Sequence, residues 1–211
     1  MDERVMRARE LYEQAIFNGT EGVLAKADAE LDAVEADLAL ARGRVLHGRF
    51  LACDKEDPAE LPLFQRSAEL YRKLGDQRGE AEALFWIGCF YQVVWKDADG
   101  AAEALNRSAD LARQAGDKLT LSYALRHLGV VAQQAGRLEA ARSHLEESTA
   151  LRRELGFLPG VAANLVGLIY IATAQGRTTD AHTLANEADT IAKAAGATKI
   201  IEQIAEARKT T

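Results

Sequence analysis

The chain has 211 residues, 48% of them hydrophobic, with 32 acidic against 26 basic side chains and a net charge of −6. That length allows one large or two small domains and the apolar share is ample for a core, while the acidic balance offers no general field for a phosphate backbone and so argues against nucleic acid. Cys53 and Cys89 are too few for a disulfide framework and read as buried thiols; MDERVMRARELYEQ at the start has no apolar signal core and no run approaches a membrane span, so a cytoplasmic protein is expected.

In chain order, residues 3–17 place Val5, Ala8, Leu11, Tyr12, Ala15 and Ile16 on one helix face before Asn18, Gly19 and Thr20 break it. From Glu21 to Cys53 the composition is helical but the apolar positions change face near Val34. That predicts two helices with a boundary at 34–37, or one long kinked helix. Asp57 and Pro58 suit an N-cap and first helical residue, whereas Pro62 suits a first turn beginning at Glu60 or Leu61; either helix ends at Leu74, before Gly75.

Beyond that point the chain repeats. Glycines at 116, 136, 156, 176 and 196 punctuate helix-forming segments every twenty residues, so two segments form a forty-residue helical hairpin. Ala83, Leu84, Ile87, Gly88 and Tyr91 correspond to Ala124, Leu125, Leu128, Gly129 and Ala132 at an offset of 41, and those to Asn164, Leu165, Leu168, Ile169 and Ala172 at 40. In the second helices Ala101, Leu105, Ser108 and Leu111 match Ala141, Leu145, Ser148 and Leu151, then Ala181, Ala185, Ala188 and Ile191. The odd residue is expected in the turn Val94–Gly100. Gly88, Gly129, Ala101, Ala141 and Ala181 read as helix crossings, with Leu105 and Leu145 as the knobs beside them. Glu139 near one helix start and Arg152 and Arg153 near its end suit the helix dipole. A last helix from Thr198, with Ile200, Ile201 and Ile204 on one face, suits a cap. The expected division is 1–57 as N-terminal helices forming a degenerate repeat or cap, 58–195 as the array, and 196–211 as capping helix and tail.

Ile87-Gly88, Tyr91, Ala101, Leu105 and Ser108 resemble the tetratricopeptide (TPR) repeat, although the period of 40 departs from the usual 34. Phrases such as LEESTALRRELG and ALRHLGVVAQQAGR resemble the long-period TPR-like arrays of bacterial regulators. The resemblance implies an all-α, right-handed α-solenoid of about ten helices, in which the first helix of each pair lines a concave groove. It implies a protein- or peptide-binding scaffold rather than an enzyme.

The candidate groove residues on that reading are Phe85, Trp86, Cys89, Gln92, Tyr123, Arg126, His127, Val130, Gln133, Val166, Tyr170 and Thr173. Phe85, Trp86, Tyr123, Arg126 and Tyr170 are expected along one wall, with an anionic or polar end of the partner near Arg126. The groove positions that grip a terminal carboxylate in some TPR arrays hold Phe85, Cys89, His127, Ala163 and Gly167 here, so no carboxylate clamp is expected. The apolar helix ALFWIGCFYQVVW, residues 83–95, suggests two alternatives: a sensor of a small apolar effector, or a homodimer through that helix. The four histidines, 47, 127, 144 and 182, fall on separate helices without metal-ligand spacing, and neither cysteine has a nucleophile context. No catalytic residue, metal or cofactor is expected.

Overall fold

The computed structural model describes residues 1–210, and in them ten α-helices and no strand. They are α1 (Glu3–Asn18), α2 (Val23–Cys53), α3 (Glu60–Leu74), α4 (Gln77–Phe90), α5 (Ala98–Gln114), α6 (Lys118–Gln134), α7 (Leu138–Glu154), α8 (Leu158–Ala174), α9 (Thr178–Ala194) and α10 (Thr198–Ala207). Antiparallel hairpins α2–α3, α4–α5, α6–α7 and α8–α9 stack in order, with α1 against α2 and α10 against α8 and α9. The chain is an α-solenoid. Successive first helices touch, α2 with α4, α4 with α6 and α6 with α8, which puts them on the crowded inner side of the stack.

The glycine punctuation works through the backbone. Gly116, Gly136, Gly156, Gly176 and Gly196 all have φ between 64° and 71°, the left-handed region that a Cβ disfavours. After each, an amide reaches back five residues to a helical carbonyl, as Asp117 N–H does to Ala112 C=O at 2.8 Å, which closes the helix in a Schellman turn. Asp76, Asp97 and Asp117 then accept the first amides of α4, α5 and α6.

The crossings are as tight as the small residues suggest. A Cβ on Gly88 would lie 2.6 Å from Leu105 Cγ, and one on Gly129 3.0 Å from Leu145 Cγ. A serine ties each of three hairpins across the same place: Ser67, Ser108 and Ser148 donate to the carbonyls of Ala36, Ala81 and Ser122 at 3.0, 2.7 and 2.6 Å. The first of these belongs to α2–α3, so the hairpin pattern begins before residue 57, inside the segment expected as a degenerate repeat.

One open alternative is settled, and two expectations, the place of the odd residue and the burial of Cys53, need correction. Residues 23–53 form a single helix: its first half packs through Val23 and Ala27 on α1, its second through Ala36, Leu40, Gly43, His47 and Phe50 on α3 and α4, so the change of face is a change of neighbour. The odd residue is absorbed before the turn, in a π-helical turn at Tyr91–Trp95 that prolongs α4. Cys53 is exposed, while Cys89 is buried. Arg152 does stand in the last turn of α7, and there it is buried, 1% exposed. In the remaining open case α3 begins at Glu60, with Asp57 Oδ1 accepting from Ala59 N–H at 3.0 Å. No described helix is long and apolar enough to cross a membrane.

Candidate functional site

The inner face holds two depressions. The larger, a cavity of 440 Å³, opens where α2, α4 and α6 meet, and it is lined by Phe85, Trp86, Cys89, Tyr123 and His127 among the expected groove residues. It is joined by Arg44, His47 and Leu51 of α2, by Glu82 and Val93, and by Leu119 and Thr120. The smaller, 310 Å³, lies one unit on and takes in Arg126, Val130, Gln133, Val166 and Tyr170, with Gln203 and Glu206 of the capping helix. Tyr123 thus stands in one depression and Arg126 and Tyr170 in the next, two bays of one face rather than one continuous wall. Gln92 and Thr173 line neither.

The rings of the larger cavity hold one another. Phe85 packs edge-on to Trp86 and His127, with centroids 5.2 and 5.4 Å away, and Trp86 stacks on Phe64 at 5.7 Å. At the rim Arg44 pairs with Glu82, so the charges there offset each other. Behind Trp86, His47 Nδ1 meets Glu60 Oε1 at 2.8 Å; both side chains are buried, and the burial raises the Glu60 carboxyl against the opposing pull of His47.

Several groove residues are spent on holding the helices together. Gln92 donates to the His127 carbonyl at 3.1 Å and its amide oxygen lies 2.5 Å from His127 Nδ1, which fixes the ring proton on that nitrogen. One unit later Arg126 Nη1 donates to the Ala163 carbonyl at 2.8 Å and to Asn164 Oδ1 at 3.1 Å. These are inter-repeat clips, α4 to α6 and α6 to α8. Burial and the nearby Arg126 and Arg152 hold the His127 ring down to about 3, so it is neutral at ordinary pH. Burial pushes the Cys89 thiol well up. Its sulfur is 3.7 Å from both nitrogens of His127. Equal distances point the sulfur at the ring rather than at a lone pair, and a raised thiol beside a lowered imidazole is the reverse of an activated thiolate.

Behind the second bay lies a polar cluster that the sequence did not reveal. Arg152 lies against both Tyr123 and Phe157, rings that meet each other at 5.9 Å, with its guanidinium 5.0 and 5.4 Å from their centroids, and it donates to the Gly160 carbonyl and Asn164 Oδ1 at 2.8 and 3.0 Å. Asn164 in turn donates to Ser148 Oγ at 2.8 Å. Burial, with Arg126 nearby, lowers Arg152 to about 10, and its Nη2 has no hydrogen-bond partner. The missed signal was the polar Asn164 at a repeat position where earlier units carry Ala124 and Ala83. His47 was missed because it lies on the helix whose face could not be assigned. Among the described residues no cluster of three or more His, Cys, Asp and Glu side chains has the geometry to hold a metal.

Most of the aromatic stretch is buried within the chain's own stack. Ala83, Leu84, Phe85, Ile87, Cys89 and Phe90 are all buried between neighbouring helices, and of its rings only Trp95 is largely exposed. A homodimer through 83–95, an alternative raised by the sequence, would have only Trp95 and the partly buried Trp86, Tyr91, Val93 and Val94 to pair through.

Fold and site together define an all-α helical-repeat protein with a bayed inner face. No protein-family profile matches the chain. Its structure is similar to that of aspartyl phosphate phosphatase F from Bacillus subtilis, with a TM-score of 0.73, 12% identity, and coverage of 97% of this chain and 54% of the other; at that identity the likeness is one of fold. In sequence it is similar to the regulatory protein AfsR of Streptomyces griseus, 33% identical over 120 residues, which are 57% of this chain and 12% of that protein. The chain therefore spans a small part of AfsR and about half of the phosphatase.

Proposed function

We propose that the chain is a non-enzymatic, TPR-like binding module that receives an extended peptide or a segment of a protein along the inner face. The observation behind this is the pair of bays one repeat apart, the first ringed by Phe85, Trp86 and Tyr123 and the second carrying Arg126, which pairs with no carboxylate among the described residues. An apolar side chain of the ligand sits in the first bay, and a polar or anionic group lies near Arg126. The helical-repeat likeness to a phosphatase and the partial likeness to a regulatory protein favour a place in regulation, with a protein partner. The test is selection of binders from a displayed library of twelve-residue peptides, followed by hydrogen exchange. Selected peptides should protect α4 and α6, and Tyr123→Ala should weaken them at least tenfold with the helical signal unchanged. Peptides that bind Tyr123→Ala and wild type alike would sink the placement.

A second reading has its own support. The floor of the larger cavity carries neutral groups, and 440 Å³ suits a small ligand, so an uncharged apolar effector fills it. Thermal-shift titration with a neutral naphthalene ketone and with the matching naphthoate separates the two. This reading requires stabilisation by the ketone alone and is discarded if neither compound raises the melting point.

A further inference from the structure

Helix α2 carries an apolar surface that no part of the described chain covers. Leu24, Leu31, Leu38 and Val45 recur every seven residues and are 50%, 45%, 54% and 55% exposed. Between them, at steps of four and three, stand Asp28, Glu35, Arg42 and Arg49, all exposed. Alternating steps of four and three keep side chains on one seam of a helix, and this seam runs about 38 Å. The residues that α2 buries, such as Ala36, Leu40, Gly43, His47 and Phe50, lie on another face.

The charges on the seam are ordered. The N-terminal half carries the acids Asp28 and Glu35, the C-terminal half the bases Arg42 and Arg49. A second α2 laid antiparallel, with the two-fold axis between residues 38 and 39, sets Asp28 beside Arg49 and Glu35 beside Arg42, and symmetry does this twice. A parallel partner would set each charge against its own kind. Glu35 already meets Arg66, but Asp28, Arg42 and Arg49 have no ion pair among the described residues.

We propose that this seam is the contact between two copies of the chain, paired antiparallel through α2. The leucines supply the apolar core of the contact, and the charge order selects both partner and direction. Arg44, His47 and Leu51, which line the larger cavity, leave α2 from a different side, so pairing keeps the inner face open.

Light scattering of the full chain from about 1 to about 200 µM tests the proposal. The wild-type chain should reach twice the monomer mass. Leu31→Glu/Leu38→Glu and Arg42→Glu/Arg49→Glu should each stay monomeric, with unchanged helical circular dichroism because every substituted side chain is exposed. Mixing Arg42→Glu/Arg49→Glu with Asp28→Arg/Glu35→Arg should restore the dimer. Direction is read with a short bis-maleimide: antiparallel copies hold their Cys53 thiols at opposite ends, so the wild type should not crosslink, whereas Leu24→Cys should couple to Cys53 of a second copy. A wild-type chain that remains monomeric leaves the seam to some other protein or segment and overturns the proposal. So does a dimer indifferent to Leu31→Glu/Leu38→Glu, a mixture that fails to pair, or crosslinking between native Cys53 thiols.

Discussion

The α5–α6 and α7–α8 junctions occupy equivalent places in successive units and are built from opposite materials. At the first, Ala112 and Ala124 belong to one apolar cluster and have no exposed surface. Forty residues later the same places hold Arg152 and Asn164, equally buried but polar, with Tyr123 and Phe157 closing over the guanidinium. The backbone repeats regardless. The repeat therefore specifies where helices cross, through Gly88 and Gly129 and the knobs above them, while the space beside each crossing is free to be filled or left hollow. The larger cavity is on the α6 side of the alanine junction, lined by Phe85 and Tyr123, whose rings meet at 5.4 Å.

The sharpest way to break the comparison is to make the second junction like the first. Arg152→Ala removes the hydrogen bonds to Gly160 and Asn164 and empties the space against the Tyr123 and Phe157 rings, and the expected loss is about 3 kcal/mol. Arg152→Met keeps most of the volume and removes a buried charge whose Nη2 has no partner, so its loss should be about 1 kcal/mol. Urea midpoints of the two variants decide. Equal losses would mean that the polar bonds, not the filling, hold this junction.

The next effect belongs to the hollow side. His127 has a folded value of about 3 against an ordinary 6.5, so the unfolded chain takes up a proton first as pH falls. Its contribution to stability is complete above pH 6.5 and is lost as pH drops toward 3, the loss reaching about 2 kcal/mol by pH 5. Carboxylates titrate in part of the same window, so the measure is the difference between wild type and His127→Gln, which should lack this component. Parallel stability curves from pH 7 to 5 would show that the ring is better hydrated than its packing indicates.

What the sequence could and could not convey follows the same division. Helix ends were legible because Gly116 and its successors have one physical reason to be glycine, and crossings were legible because Gly88 and Gly129 admit no Cβ. Both signals are local. The faces of α2 were not legible, because its apolar residues answer to three different neighbours in turn: α1, then α3 and α4, and a seam of leucines left outside. Arg152 was rightly placed in the last turn of its helix, but its burial was not legible for a related reason, since an exposed helix-end arginine and a buried one stacked on Tyr123 look alike until Asn164 is brought opposite. Of the groove residues, Phe85, Trp86, Tyr123 and Arg126 do face inward, yet the division into two bays depends on α2 supplying Arg44, His47 and Leu51 to the first and α10 supplying Gln203 and Glu206 to the second.

A smaller difference separates the crossings themselves. At Gly88 an added methyl would meet Leu105 Cγ at 2.6 Å and Cδ2 at 2.8 Å, and Leu105 is fully buried with nowhere to swing; at Gly129 the approach to Leu145 is 3.0 Å. Alanine gains about 1 kcal/mol of helix propensity at either place. The clash should outweigh that at Gly88, leaving Gly88→Ala about 1 to 2 kcal/mol less stable, whereas Gly129→Ala should fall within about 0.5 kcal/mol of wild type. Thermal unfolding of both variants ranks them, and the reverse order would remove the claim that the α4–α5 crossing is the closer one.

The least effect, and the only gain, is expected where one turn departs from its equivalents. After Tyr91–Trp95 the chain reverses at Lys96 with φ 56°, the conformation that glycine supplies at 116, 136, 156 and 176. There the backbone amide of Asp97 reaches the Tyr91 carbonyl at 2.9 Å, seven residues inclusive, where Arg137 reaches Ala132 across six. The π-helical turn has taken up the extra residue and delivered the chain to the same geometry, but onto a side chain with a Cβ. Left-handed backbone costs such a residue about 1 kcal/mol, while the glycine replacing it is freer in the unfolded chain, so Lys96→Gly should stabilise by about 0.5 kcal/mol. Lys96 is exposed and forms no ion pair among the described residues, so nothing else is lost with it. A destabilised Lys96→Gly would mean that this turn relaxes out of the left-handed region in solution and that the π-helical turn relaxes with it.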